Sequence, residues 1–195
     1  MQSIATLLLS LAALAAAAPW EIQPRAAERD DSSPFQIYAY GDTIGGLPVF
    51  SAGGDAYIGD YTLFKDPNAA PVIFTPVDGD VWLASPNTTA FTNRTALPNW
   101  SKLTFSVPAE NSSDHNVGLV GPDKIVSPGR RTSGFMFYGT FIFVQDSAGM
   151  ASEWYAAPGL VDGVYSLKWA QNGPVTESEI SLTLKKTPPS NSPPN

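Results

Sequence analysis

The first chemistry to consider in this chain is hydrolysis of a glycosidic bond by a pair of carboxyl groups. That reaction needs two positioned acids, one of them with a raised pKa. Glu153, beside Trp154 and Tyr155 in the segment SAGMASEWYAAP, is the glutamate whose surroundings most resemble a substrate cleft. Asp146, at the end of an apolar run, is the candidate partner. No paired-acid motif like that of jelly-roll glucanases accompanies them, so we expect no catalytic residue and keep Glu153 with Asp146 as the alternative.

Nucleophilic and metal chemistry have less support in the residue types. The sequence contains no Cys and a single His, His115, in the segment NSSDHNVG. Thiol catalysis and Cys-ligated metals are therefore excluded, and a histidine-ligated metal centre needs more than one His. Asp114 is a neighbour only in sequence, and no Gly-x-Ser-x-Gly motif marks a serine nucleophile. We expect His115 to lie in a surface loop, and we expect no metal and no cofactor.

Aromatic side chains are the residues best suited to bind a sugar. Exposed Trp and Tyr can stack on the apolar face of a pyranose ring, as aromatic rings stack on one another. Trp82 has the parity opposite to that of Val81 and Leu83, which predicts an outward side chain, and Trp154 and Tyr155 lie in a turn-rich segment. Trp82, Trp154 and Tyr155 are the predicted glycan-binding residues. Packing in the core is the competing interpretation for each of them.

Four Asn-x-Ser/Thr triplets predict sites of N-glycosylation. Such triplets are meaningful only in a chain that enters the secretory pathway. The prolines between residues 85 and 100, and the parity of the apolar residues that follow, indicate a long surface loop or irregular edge. The glycans would therefore cluster at one end or edge of the fold. The acceptor residues are Asn87, Asn93, Asn99 and Asn111.

The two ends of the chain predict a route to the cell exterior. Residues 1–17 combine an apolar run with the small residues Ala15-Ala16-Ala17, as in a secretory signal peptide. Residues 18–34 are polar and charged, which indicates a flexible leader or pro-segment. Residues 186–195, KTPPSNSPPN, predict a disordered Pro/Ser-rich tail without the hydrophobic stretch of a lipid anchor.

The net charge narrows the range of partners. It is −7, which argues against nonspecific binding to nucleic acid, because such binding needs a positive field. We expect no membrane anchor. The expected partners are a cell-wall polysaccharide or a component of a host surface, and the sequence makes no prediction of oligomeric state.

The pattern of apolar residues predicts an all-β fold. Short apolar runs are punctuated by Gly, Pro, Asn and Asp, and no long stretch has the periodicity of a capped helix. Asp78-Gly79 and Asn172-Gly173 are signals for β-hairpins. We predict a single antiparallel β-sandwich, jelly-roll-like, over residues 35–185.

Three segments have distinctive strand patterns. Residues 164–169 and 180–185 alternate between apolar and polar side chains, which predicts that Trp169 and Leu184 face the core. Residues 135–144, FMFYGTFIFV, have apolar residues on both faces, which predicts one strand covered on both sides. Gly139 within that strand predicts a bulge or a close approach of the backbone.

Two segments together resemble a group of small secreted proteins of filamentous fungi. They are IYAYGDTIGGLPVFSAGGDAYIGD (37–60) and TSGFMFYGTFIFVQDSAGMASEWYAAPGLVDGVYSLKW (132–169). Proteins of that group also have a signal peptide, a Gly-rich β start, an SGF-aromatic-G strand and a final strand with the spacing Y-x-L-x-W. The resemblance covers only part of the chain. It implies a fungal extracellular or cell-wall protein and carries over no catalytic residue.

These observations favour a secreted, N-glycosylated, extracellular or cell-wall-associated β-protein without enzymatic activity. Glycan binding is one form of this expectation, and an effector-like or structural role is another. The alternative is a secreted carbohydrate-active enzyme that uses Glu153 and Asp146. Facing carboxyl groups in an open cleft would favour the enzyme, and a row of exposed Trp or Tyr side chains would favour the binding protein.

Overall fold

The computed structural model describes residues 32–78, 80–92, 96–110, 112–122, 129–159, 161–170 and 176–190. Within them the chain forms strands and turns, with a short 3-10 helix at Tyr61–Leu63 and no α-helix. No helix in these ranges is long and apolar enough to cross a membrane.

In chain order the strands are β1 Tyr38–Gly41, β2 Ile44–Ser51, β3 Ala56–Gly59, β4 Ala70–Val77, β5 Val81–Pro86, β6 Leu103–Pro108, β7 Gly118–Val120, β8 Arg130–Arg131, β9 Phe135–Tyr138, β10 Phe141–Asp146, β11 Gly149–Ala151, β12 Trp154–Pro158, β13 Val164–Trp169 and β14 Ile180–Lys185.

Six of these strands close into an antiparallel ring. β2 pairs with β1 and with β3, β3 pairs with β13, β13 pairs with β12, and β12 pairs with β14. β14 then pairs with β1, with Tyr38 opposite Lys185, which completes a closed barrel. The prediction of an all-β, antiparallel fold is therefore confirmed. The predicted jelly-roll-like sandwich is not confirmed, because these strands close on themselves.

Additional strands extend the barrel on two sides. β4 pairs with β2 and leads to β5 and β6, and both β7 and β8 pair with β6. β10 pairs with β14 through Phe141 and Lys185, and it also pairs with β9 and β11. The β9–β10 hairpin therefore lies beside the barrel, next to the strand that closes it.

The alternation predicted for β13 and β14 is confirmed. Leu167 and Trp169 on β13 are buried, as are Leu182 and Leu184 on β14. Lys168, between the two buried residues of β13, is only partly buried. Because successive side chains of a strand point to opposite faces, each strand has one face in the core.

The two predicted hairpin signals have different outcomes. β4 and β5 pair with Val77 opposite Val81, so the chain does turn at 78–80, although Gly79 lies outside the described residues. The hairpin predicted around Asn172-Gly173 is wrong in its pairing, because β13 and β14 each pair with β12 instead of with each other. Residues 171–175 lie outside the described ranges. A local turn signal does not specify which strand becomes the partner.

Residues 135–146 form a hairpin instead of the single strand that the sequence predicts. β9 ends at Tyr138, the chain turns at 139–140, and β10 starts at Phe141, directly opposite Tyr138. Gly139 has a φ of 63°, in the left-handed region that glycine adopts without a steric penalty. The predicted bulge at Gly139 is therefore a tight turn, and the parity of the side chains changes across it.

Aromatic rings around Trp82 fill a large part of the core. The Trp82 side chain is 1% exposed, so the prediction that it points outward is wrong. Alternation separates Trp82 from Val81 and Leu83 but does not determine which of the two faces lies inside. The indole takes the interior because it buries the larger apolar area. The neighbouring rings, by centroid distance, are Phe35 at 4.9 Å, Phe137 at 5.0 Å, Phe135 at 5.2 Å, Phe105 at 6.1 Å and Phe74 at 6.4 Å.

Candidate functional site

The other two predicted sugar-binding residues, Trp154 and Tyr155 on β12, are also buried. They are 2% and 1% exposed. The indole N–H of Trp154 donates to the backbone carbonyl of Ile142 at 3.0 Å, and its ring lies 4.5 Å from that of Trp169, centroid to centroid. Stacking on a sugar requires an accessible ring face. Burial therefore corrects the prediction that Trp82, Trp154 and Tyr155 form a sugar platform, because packing occupies their ring faces.

The two candidate acids lie at different turns. Oδ1 of Asp146 accepts hydrogen bonds from the N–H groups of Ala148 and Gly149, each at 2.8 Å, and so caps the turn between β10 and β11. Glu153 comes directly before β12, and its backbone carbonyl accepts from the N–H of Ala170 at 3.2 Å. No hydrogen bond joins the two carboxyl groups within the described ranges. Asp146 thus has a structural task, and the pairing that hydrolysis needs stays a prediction.

Two of the four glycosylation triplets fall on described residues. β5 ends at Pro86, and the side-chain Oδ1 of Asn87 accepts from the N–H and the hydroxyl of Thr89 at 3.1 and 2.6 Å. Asn99 is exposed and lies shortly before β6. β5 and β6 are neighbours, with Ala84 opposite Leu103, so both asparagines lie on the connection at one end of this strand pair. Asn93 and Asn111 lie outside the described residues.

An exposed aromatic surface lies on the outer side of β1, β14, β10 and β9. This aromatic face consists of Tyr40, Lys185, Phe141, Phe143 and Tyr138. Tyr138 is 66% exposed, the highest value among the large apolar side chains of the described residues, and Phe141 is 39% exposed. The rings of Tyr138 and Phe143 meet edge to face at 6.4 Å. The ammonium of Lys185 lies 4.7 Å from the Tyr40 ring centroid and 4.9 Å from that of Phe141.

Strand register explains why these side chains share one face. Tyr138 and Lys185 are both directly opposite Phe141, from the two edges of β10. Residues that face each other across antiparallel strands point to the same side of the sheet. Phe143 lies two positions after Phe141 and shares that side, whereas Ile142 between them is 1% exposed. The hairpin therefore turns one face, with Tyr138, Phe141 and Phe143, outward and its other face to the core.

A shallow cleft of about 450 Å³, lined by both polar and apolar side chains, continues the aromatic face along β10. Met136 lies in its wall and is directly opposite Phe143, so the two surfaces are contiguous. The carboxylate of Asp80 accepts from the N–H of Gly134 at 2.9 Å, and the guanidinium of Arg131 donates to the carbonyl of Gln145. The residues that line the cleft are Asp80, Arg131, Ser133, Gly134, Phe135, Met136 and Gln145.

The sequence pattern does not reveal the aromatic face, because residues 135–144 also fit one continuous strand. In that interpretation Phe141 shares a face with Phe135, which is 1% exposed in the structure. The signal that could have revealed the surface is the Gly139-Thr140 dipeptide, since a glycine between two short apolar runs also fits a two-residue hairpin turn. With that turn in place, Tyr138 and Phe141 become outward neighbours.

A separate polar cluster attaches the segment around His115 to the barrel. Nδ1 of His115 lies 2.8 Å from the hydroxyl of Tyr155, and the ammonium of Lys168 donates to the side-chain carbonyl of Asn116. Tyr155 and Lys168 are directly opposite each other on β12 and β13, so the two contacts lie side by side. His115 lies in the loop before β7, is partly buried and is bonded to the barrel.

Arg130 holds the His115 segment at both of its ends, at Asp114 directly and at Gly118 through Ser106. Its Nε donates to the hydroxyl of the buried Ser106 at 3.0 Å, and its Nη1 forms an ion pair with Asp114 at 3.3 Å. The Ser106 hydroxyl in turn donates to the carbonyl of Gly118 at 3.0 Å. In the described part of the chain, no buried side-chain nitrogen or oxygen lacks a hydrogen-bond partner. These bonds support a structural task for the cluster.

Replacing Tyr155 by Phe is expected to change the pH dependence of stability. Burial, followed by the nearby carboxylate of Glu179, raises the pKa of Tyr155 from 10.0 to about 12. Between these pH values the unfolded chain loses the phenol proton while the folded chain keeps it, so the free energy of unfolding of the wild type falls as the pH rises. Tyr155→Phe should be about 1 kcal/mol less stable at neutral pH, because it loses the hydrogen bond with His115.

Urea denaturation at neutral pH and at about pH 11 measures this difference. The stability gap between Tyr155→Phe and the wild type should narrow at the higher pH. Tyr138→Phe is the matched control, because it removes a phenol hydroxyl from an exposed ring. A gap that stays constant between the two pH values would show that folding does not favour the neutral phenol of Tyr155.

Comparisons with known proteins identify no relative. No protein-family model matches the chain, and neither a curated protein nor a solved structure is detectably similar to it. Among the described residues, no three His, Asp or Glu side chains are grouped so that they could hold a metal ion. The function is therefore inferred from the chemistry of the aromatic face and the cleft beside it.

Proposed function

We propose that this chain is a secreted, N-glycosylated, non-enzymatic protein that binds an extracellular or cell-wall polysaccharide on its aromatic face. The observation that carries the proposal is the juxtaposition, on one surface, of the exposed rings of Tyr138 and Phe141 with a cleft that contains polar side chains. Sugar sites combine ring faces, which stack on the apolar side of a pyranose, with polar groups that hydrogen-bond to its hydroxyls. The aromatic face supplies the first component, and Ser133 and Gln145 in the cleft supply the second.

The shape of this surface supports a linear ligand. The aromatic face and the cleft lie in line along β10, from Phe141 to Gln145. A strand rises roughly 3.4 Å per residue, so this track is about 14 Å long. That length accommodates a short segment of a polysaccharide, with sugar rings on Phe141 and Tyr138 at one end and hydroxyl groups in the cleft at the other.

The glycosylation triplets support the choice of this surface. Asp80, in the cleft, directly precedes β5, and Asn87 directly follows it. The extended strand separates the two residues by about 23 Å. Glycans on Asn87 and on Asn99 nearby would cover the far end of β5 and leave the track along β10 open.

Removal of the exposed rings is expected to weaken polysaccharide binding. Tyr138→Ala and Phe141→Ala should each lower the affinity about five- to ten-fold, because each deletes a stacking surface worth about 1 kcal/mol. Depletion of the secreted protein from solution by insoluble β-glucan, chitin, cellulose and pectin measures the affinity. Thermal unfolding of the same samples should change little, since both side chains are exposed.

Leu97→Ala is the matched control for this experiment. Leu97 is 63% exposed, close to the value for Tyr138, and it lies on the connection between β5 and β6. This variant, and enzymatic removal of N-glycans, should leave binding unchanged. Binding that survives both aromatic substitutions would refute the proposed site. Release of soluble sugar in the same tubes, abolished by Glu153→Gln, would establish the hydrolase instead.

A further inference from the structure

We infer that the polysaccharide bound on this track carries carboxylate groups, as a polymer of uronic acids does, and that Lys185 and Arg131 bind them. This inference rests on the proposed function, because it requires a sugar chain on the aromatic face. The inference specifies the chemical class of the polysaccharide that the proposed function leaves open.

Lys185 places a positive charge between the rings of the aromatic face. Its ammonium lies 4.7 and 4.9 Å from the ring centroids of Tyr40 and Phe141. Contact with ring faces holds the cation in position without neutralising it. Among the described residues, no carboxylate forms an ion pair with Lys185. A ligand carboxylate next to the stacked sugar would supply that missing partner.

Arg131 supplies the second positive charge, in the cleft. Its guanidinium donates to the backbone carbonyl of Gln145, which engages part of the five-donor fork. Asp80 lies in the same cleft, where its carboxylate accepts from the N–H of Gly134 and forms no ion pair with Arg131. The planar guanidinium matches the geometry of a carboxylate, so Arg131 can take a second acceptor from a ligand.

The position of these cations contrasts with the charge of the whole chain. The sequence has 18 acidic and 11 basic residues, for a net charge of −7, so the protein as a whole repels a polyanion. Lys185 and Arg131 lie at opposite ends of the track, about 14 Å apart along β10. A polymer with a carboxylate on every sugar can reach both of them at once. A neutral glucan would offer no carboxylate to either cation.

A pair of pectic polymers with one backbone tests this inference. Polygalacturonate carries a carboxylate on each sugar, and its fully methyl-esterified form carries none. Biolayer interferometry at low and high salt gives the affinity of the full chain for each polymer. We expect at least ten-fold tighter binding of polygalacturonate, and a loss of that advantage at about 0.5 M salt, because salt screens exposed charges.

Substitutions separate this inference from the proposed function. Lys185→Gln and Arg131→Gln should each weaken binding of polygalacturonate about five-fold and leave the methyl ester unaffected. Lys102→Gln, at an exposed site before β6, makes the same change in net charge and should have no effect. Equal binding of both polymers, or wild-type affinity in both cation variants, overturns the inference. If Tyr138→Ala weakens binding of neither polymer, the proposed function itself fails.

Discussion

Replacing Trp82 by Ala is expected to lower the free energy of unfolding by about 3–5 kcal/mol, the usual cost of truncating a fully buried Trp. The Trp82 side chain is 1% exposed, and its ring contacts Phe35 at 4.9 Å, Phe137 at 5.0 Å and Phe135 at 5.2 Å. These rings come from the segment before β1 and from β9, so the indole joins segments that are distant in sequence. The cavity left behind cannot be filled without moving several rings at once.

Urea denaturation of Trp82→Ala and of Leu83→Ala measures this loss. Leu83 is the next residue on β5 and is only partly buried, so its truncation should cost about 1 kcal/mol. A stable Trp82→Ala that has lost polysaccharide binding would instead support the outward orientation predicted from the sequence. The folded fraction of the variant should bind polysaccharide like the wild type, since Trp82 lies beneath the aromatic face and not on it.

Replacing Gly59 by Ala is expected to lower the free energy of unfolding by roughly 2–4 kcal/mol. Gly59 has a φ of 126°, in a region that residues with a side chain rarely adopt. A Cβ at this position would lie 2.4 Å from the carbonyl oxygen of Gly163, which is backbone and cannot rotate away. Because Gly59 is opposite Val164, the clash falls on the pairing of β3 with β13. That pairing is one of the contacts that close the barrel.

Gly54→Ala is the matched control for this prediction. A Cβ at Gly54 would meet nothing within 4 Å, so the substitution should change stability by less than about 0.5 kcal/mol. The midpoint of thermal unfolding should fall for Gly59→Ala and stay close to the wild-type value for Gly54→Ala. Equal midpoints would mean that β3 and β13 do not approach each other as closely as the structure describes.

Local patterns predicted much of the strand content but not the closure of the barrel. Alternation correctly placed Trp169 and Leu184 inside, because each strand pattern has one apolar side and one polar side. The contact of β1 with β14 has no local signal, since it depends on how all the intervening strands pair. For the same reason a turn motif could not reveal that β12 lies between β13 and β14.

The candidate site was harder to predict because it depends on the direction in which aromatic side chains point. The pattern on β5 separates Trp82 from Leu83 without determining which of them is buried. In residues 135–144 both faces are apolar, so periodicity could not reveal the turn after Tyr138. The aromatic rings that the sequence marked as exposed are in the core, and the exposed Tyr138 and Phe141 were assigned to a covered strand.

The closure of the barrel by β1 and β14 also has a consequence for the rate at which the protein folds. The hydrogen bond from the Tyr40 hydroxyl to the carbonyl of Thr187 spans 147 residues, nearly the whole length of the described chain. β14 provides pairing for β1, β12 and β10, and in chain order it is the last strand of the described residues. The barrel therefore cannot close until the two ends of the described segment have met, and the loop-closure entropy of that step must be overcome before the pairing contributes any stability. Folding of this protein is expected to be slow, as for other folds dominated by non-local strand pairing.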